Sequence, residues 1–179
     1  MKMTGEEIIP VPREAVWKAL NDPDILRQAI PGCEEIAKNS DTDFTARVVA
    51  KVGPVKAHFT GEVQLTDLDP PNGYTISGEG KGGLAGFAKG GAVVKLEEVP
   101  EGTKLIYDVE AHVGGKLASL GSRLIDSTAK SMATQFFDKF AILAAGGDPN
   151  APQEEEEAAE EGGEKSERKG FFGMFKKKS

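Results

Sequence analysis

Few residues in this chain are of the types that do chemistry alone. There are two histidines, His58 and His112, one cysteine, Cys33, and two tyrosines, Tyr74 and Tyr107. A histidine pair could ligate a metal. Here both alternate out of phase with the apolar residues around them, and neither has Cys, His or Asp/Glu at ligand spacing on its own face. They are expected at the surface. Cys33 follows Pro31-Gly32 without a histidine or basic residue close in sequence. It is expected to behave as a small hydrophobe rather than a nucleophile. The stretch GEGKGG (78–83) formally fits a dinucleotide fingerprint. That fingerprint needs a helix opening on the glycines, and the strand-like LAGFAKGGAVV follows instead. The glycines are read as bending a sheet. Because Gly78 and Gly80 continue the phase of Tyr74 and Ile76, they are also read as leaving volume on its inner face. No catalytic residue and no metal site is assigned.

The elements that would carry these residues follow from periodicity. MKMTGEEIIPV suits an edge strand. PREAVWKAL and DPDILRQAI suit two short helices, the second with Asp22 as N-cap and Pro23 at its first position. From Cys33 to Val113 the period becomes two. Phe44, Ala46, Val48, Ala50 and Val52 alternate with polar residues. So do Val55, Ala57, Phe59, Val63 and Leu65, and later Leu105, Tyr107, Val109, Ala111 and Val113. This is an antiparallel meander with one buried and one wet face. Residues 116–145 contain no proline and carry apolar residues at Leu117, Leu120, Leu124, Met132, Phe136 and Phe140. That spacing describes one stripe of a single long helix, about 45 Å if unbroken. The expected class is α+β: a curved antiparallel sheet gripping a long C-terminal helix, with the two short helices plugging one end.

The inward positions read from these strands hold no charged group and no histidine, so acid–base and nucleophilic catalysis lack a candidate. Tyr74 and Tyr107 could hydrogen-bond a ligand carbonyl or serve as core residues bonded to backbone. Along the helix, Met132 and the small residues Ala118, Gly121, Ala129 and Ala133 make a thin, yielding wall that suits a flexible hydrocarbon. The candidate cavity is therefore Phe59, Leu65, Tyr74, Gly78, Gly80, Tyr107, Val109, Leu117, Leu120, Leu124, Met132 and Phe136. An apolar pocket with few polar groups suits a lipid-like ligand.

Totals exclude other classes. A net charge of −7 argues against nucleic acid as a partner. One cysteine permits no internal disulfide and fits a reducing compartment. The N-terminus has no signal-peptide pattern and no stretch is apolar enough to span a bilayer, so a cytoplasmic location is expected. Residues 146–169 are acidic and cannot bury anything. They are expected to be a disordered linker with a reach of roughly 25–30 Å. The tip GFFGMFKKKS (170–179) sets Phe171, Phe172, Met174 and Phe175 beside Lys176, Lys177 and Lys178. That combination suits a reversible anchor on an anionic membrane surface.

The order of elements, with PREAVWKALNDPDILRQAIPGCEEI (12–36), VGPVKAHFTGEVQLTDLDPP (52–71), GEGKGGLAGFAKGGA (78–92) and VGGKLASLGSRLI (113–125), resembles the START-like superfamily. Within it the chain is similar to the CoxG family of carbon monoxide dehydrogenase over residues 1 to about 145. The resemblance implies a helix-grip fold around an apolar cavity and a ligand-binding domain over 1–145. It implies a molybdenum CO dehydrogenase or related hydroxylase as partner, and a role in bringing that oxidase to the membrane and connecting it to respiratory quinone. No covalent cofactor is implied; a bound quinone, menaquinone or ubiquinone, is the expected ligand. The resemblance supplies no catalytic motif. An enzyme of the cyclase or aromatase type on the same fold, and a pure interaction module, are the alternatives.

Overall fold

A computed structural model describes residues 1–150, and residues 1–147 form one compact unit. The linker beyond 150 and the tip at 170–179 lie outside the described residues. Strand β1 (Lys2–Ile9) leads into helices α1 (Arg13–Leu20) and α2 (Pro23–Ala29). Strands β2 (Cys33–Lys38), β3 (Asp43–Val52), β4 (Val55–Asp69), β5 (Gly73–Lys81), β6 (Phe87–Val99) and β7 (Gly102–Gly114) follow, and helix α3 (Ser122–Ala144) closes the domain. The strands form one seven-stranded antiparallel sheet in the order β1-β7-β6-β5-β4-β3-β2. Consecutive strands from β2 to β7 are neighbours, as a meander requires, and β1 pairs with β7 from Lys2↔Glu110 to Ile9↔Thr103. This is the curved sheet and C-terminal helix expected from the alternation.

Local chemistry explains the boundaries. Pro12 caps α1 from an extended backbone, and Glu14 lies in its first turn, where the helix dipole favours a carboxylate. At α2 the Asp22 carboxylate accepts the Asp24 N–H at 2.9 Å, with Pro23 in the first turn, as its sequence predicts.

The C-terminal helix is shorter than its stripe predicts. Gly115–Leu120 forms a 3-10 helix, and Gly121 at φ +95° turns the chain before α3 begins. A residue with a side chain rarely adopts that φ, so the glycine sets the break. The remaining α3 is about 35 Å long.

Packing is uneven along α3. Its C-terminal part is sealed: Phe140 is fully buried and Leu143 nearly so, within the cluster of Ile9, Val16, Leu96 and Leu105. Thr103 is also fully buried, and its hydroxyl donates to the Val11 carbonyl at 2.7 Å. The N-terminal half of α3 meets no such filled core.

Candidate functional site: an apolar cavity

Between the sheet and the middle of α3 lies a cavity of about 500 Å³. That volume is within the range of small-molecule sites, roughly 300–1,000 Å³. The sheet contributes Leu65 and Val63 from β4, Tyr74 and Ile76 from β5, Ala92 and Val94 from β6, and Leu105, Tyr107 and Val109 from β7. Helix α3 contributes Ala129, Met132, Ala133, Phe136 and Phe137, whose spacings of three and four place them on one face. Leu20, Leu26, Ile30 and Pro31 close it from α1, α2 and the turn after α2. Met1 and Met3 at the start of the chain, Ile36 of β2 and Phe44 of β3 complete it. All of these side chains are apolar except the two tyrosines.

Tyr74 is nearly buried, and its ring meets Trp17 edge-on at 5.4 Å. Burial pushes its phenol well above the ordinary tyrosine value, so the hydroxyl stays protonated and can donate. Tyr107 stacks on Phe137 at 5.5 Å. Gly5 allows this: a Cβ there would overlap the Tyr107 hydroxyl. Burial, and then the Glu7 carboxylate, raise the Tyr107 phenol. The two phenols are thus the polar side chains of a hydrocarbon wall, and the Tyr107 hydroxyl packs over Gly5.

Six of the twelve expected cavity residues line it: Leu65, Tyr74, Tyr107, Val109, Met132 and Phe136. The other six do not, and each has a packing reason. The Phe59 ring covers β5 instead, 3.8 Å from where a Gly80 Cβ would stand and 2.6 Å from that of Gly82. Gly78 leaves no volume inside; a Cβ there would come within 3.1 Å of the Glu62 carbonyl oxygen and 3.3 Å of Val63. Leu117 and Leu120 belong to the 3-10 helix, so the break at Gly121 takes them off the α3 stripe. Leu124, in the first turn of α3, packs against the β3–β4 turn at Gly53. His58 and His112 are exposed, as their phase predicts.

The inward sets read from the later strands hold no charge, but the first strand, whose phase those sets did not include, adds one. Met1, Met3, Gly5, Glu7 and Ile9 alternate inward along the first strand, and Glu7 is half-buried. Its strand neighbours Met3 and Ile9 were the available signal. Glu7 does not line the cavity, but it acts on Tyr107 beside it. Burial first, and then the Asp138 charge on α3, raise its carboxyl above the ordinary value of 4.5. The folded protein thus holds this proton more tightly than the unfolded chain. Ionisation penalises the fold above the raised pKa, and the penalty disappears as the pH falls below the ordinary value. Glu7→Gln is therefore expected to raise the melting temperature at neutral pH. Melts repeated down to about pH 4 should show that gain shrinking to nothing.

Among the described residues no group of acidic, histidine or cysteine side chains could hold a metal ion, and no helix is long and apolar enough to cross a membrane.

Comparison with known proteins places this architecture. A crystal structure of a conserved protein from Geobacillus kaustophilus is 30% identical, with a TM-score of 0.76 over 82% of this chain and 96% of that one. A protein from Rhizobium leguminosarum shares the fold at 17% identity, with a TM-score of 0.63 over 81% of this chain and 94% of its own. A Thermus thermophilus protein does so at 14% identity, with a TM-score of 0.61 over 82% of this chain and 98% of its own. No curated protein matches the sequence. The family model for CoxG, a component of carbon monoxide dehydrogenase, matches residues 5–144, a span that takes in β2 to β7 and all three helices. With its helix-grip architecture and apolar cavity, the chain belongs to the CoxG family of carbon monoxide dehydrogenase.

Proposed function

We propose that this protein is a non-enzymatic carrier whose cavity holds an isoprenoid quinone, and that it links a molybdenum CO dehydrogenase-type oxidase to the respiratory membrane. The observation that carries this reading is the cavity: about 500 Å³, walled by hydrocarbon, with two phenols as its polar side chains. A quinone has the matching chemistry, with two carbonyl acceptors on a flat ring and a flexible apolar tail. Met132, Ala129 and Ala133 give the helix side of the wall the softness that such a tail needs. Family membership supports the oxidase as partner. The tip at 170–179, with Phe171, Phe172, Met174 and Phe175 next to Lys176, Lys177 and Lys178, supplies a releasable hold on the inner face of the cell membrane. A cyclase-type enzyme would need a charged or imidazole group at the cavity wall, and the described lining offers only phenols.

Native protein extracted with organic solvent should yield a quinone by mass spectrometry, and stripped protein should take one up when it is offered. Repeated absence of both quinone and any other lipid, with no uptake, would sink the carrier reading.

A further inference from the structure

The stretch GGLAGFA contains a feature that the cavity does not use. Leu84 is 98% exposed, and Phe87 close by is 40% exposed. Leu84 sits in the 3-10 turn Gly83–Ala85 that joins β5 to β6. The turn is fixed on its hairpin. The Gly82 N–H donates to the Gly86 carbonyl at 2.8 Å, and the Ala85 N–H donates to the Gly82 carbonyl at 3.1 Å. On one side Gly82 lies against the Phe59 ring; on the other, a Cβ at Gly86 would strike the Gly114 carbonyl. The apolar side chain is thus held out by a supported turn.

An antiparallel meander puts alternate turns at the same end. The β3–β4 turn, the β5–β6 turn and the link from β7 to α3 therefore share one end of the sheet. That end carries exposed Lys51, Lys56, Lys81, Lys89 and Lys116, and none of the five forms an ion pair with a described residue. The nearest carboxylates on β4 and β5 are Glu62 and Glu79; Glu79 stands across from Glu62 on one side and from Lys89 on the other, without a salt bridge to it. The opposite end carries Asp41, Asp67, Asp69 and Glu101 in and beside its turns. In a chain of net charge −7, this end thus gathers five lysines with no ion pair to a described residue beside an exposed leucine. Insertion of an apolar side chain with ammonium groups at phosphate level is the chemistry of an anionic bilayer surface. The first cavity-lining residue of α3, Ala129, lies only about 10 Å along the helix from this end.

We infer that the Leu84 turn with its surrounding lysines is a second membrane contact, on the folded domain itself, that docks this end of the domain on anionic lipid. It shares the membrane with the carrier reading but does not depend on the tip at 170–179.

The test uses the full chain carrying Leu84→Trp, with the wild type, whose single tryptophan Trp17 packs on Tyr74, as control. Vesicles of phosphatidylcholine with phosphatidylglycerol are added, plain or brominated in the acyl chains. The variant's emission should shift to the blue and be quenched by the brominated lipid, while the wild type's stays unchanged. Full-length Leu84→Asp should partition at least about fivefold less than wild type, and less still at high salt. Vesicles that pellet the protein yet leave the Leu84→Trp emission unchanged would overturn the inference and leave the tip reading standing. Quenching that persists in a Leu84→Trp chain stopped at Lys169, with undiminished pelleting, would support the turn and overturn the tip.

Discussion

Placing phenylalanine at both Ala133 and Ala92 is expected to abolish quinone uptake while the domain stays folded. The two alanines face the same cavity from opposite walls, one on α3 and one on β6. Two added phenyl groups therefore occupy the volume that a quinone ring needs. In a filled core, such additions cost about 1–3 kcal/mol in strain. Here there is unfilled space, and filling an apolar cavity recovers about 2.4 kcal/mol per 100 Å³ at the measured slope of roughly 24 cal/mol per Å³. The two terms are of similar size and opposite sign, so the melting temperature should change little. Uptake of a short-chain naphthoquinone, followed by calorimetric titration, should fall by at least about tenfold, a change of about 1.4 kcal/mol. Unchanged binding in a variant that melts normally would show that the ligand sits elsewhere. Single substitution of Tyr107 by phenylalanine asks a finer question: it removes one donor and leaves the stack on Phe137, so a smaller loss reports the hydroxyl alone.

The second large effect concerns the tip. A chain stopped at Lys169 is expected to keep its fold and its quinone binding, because all of the cavity lies within residues 1–137. Its affinity for anionic vesicles should fall by more than about tenfold. Half-burial of Phe171, Phe172, Met174 and Phe175 would contribute about 1 kcal/mol each. Three lysines near an anionic leaflet add about 1 kcal/mol each. Partial ordering of the segment offsets several kcal/mol of this sum. The remainder would be a weak, reversible attachment, which is what the proposed carrier role requires. Raising salt should weaken it without abolishing it, since screening removes the lysine contribution and leaves the apolar one. Vesicle co-sedimentation across a salt series measures both parts. The residual binding of the shortened chain is the share that the Leu84 turn would carry.

Much of the architecture is legible in the order of residues. Alternation named the inner faces of β3, β4 and β7, because side chains on a strand must take opposite sides. Asp22-Pro23 marked the start of α2, because an acceptor before a residue without an N–H suits a helix entry. The four motif stretches carried the family. The facing of His58 and His112 also followed from phase.

Other features came only with the packed chain. The stripe from Leu117 to Phe140 looked continuous, but Gly121 leaves the helical region and divides it, and periodicity of side chains does not report a single backbone angle. Beyond the break the same stripe serves two purposes. Phe140 meets the sheet and is sealed, while Met132 and Phe136 face a hollow. Hydrophobic pattern says which way a residue points, whereas a cavity depends on how far away the opposite wall stands, and the curvature of the sheet sets that distance. Glu7 and Leu84 illustrate the same division. A carboxylate on an inner face and a leucine held out in solvent both run against the pattern of their neighbours. The phase of Met3 and Ile9 already pointed Glu7 inward, but only packing set it beside Tyr107, and only the fit of the β5–β6 turn against Phe59 and Gly114 holds Leu84 out.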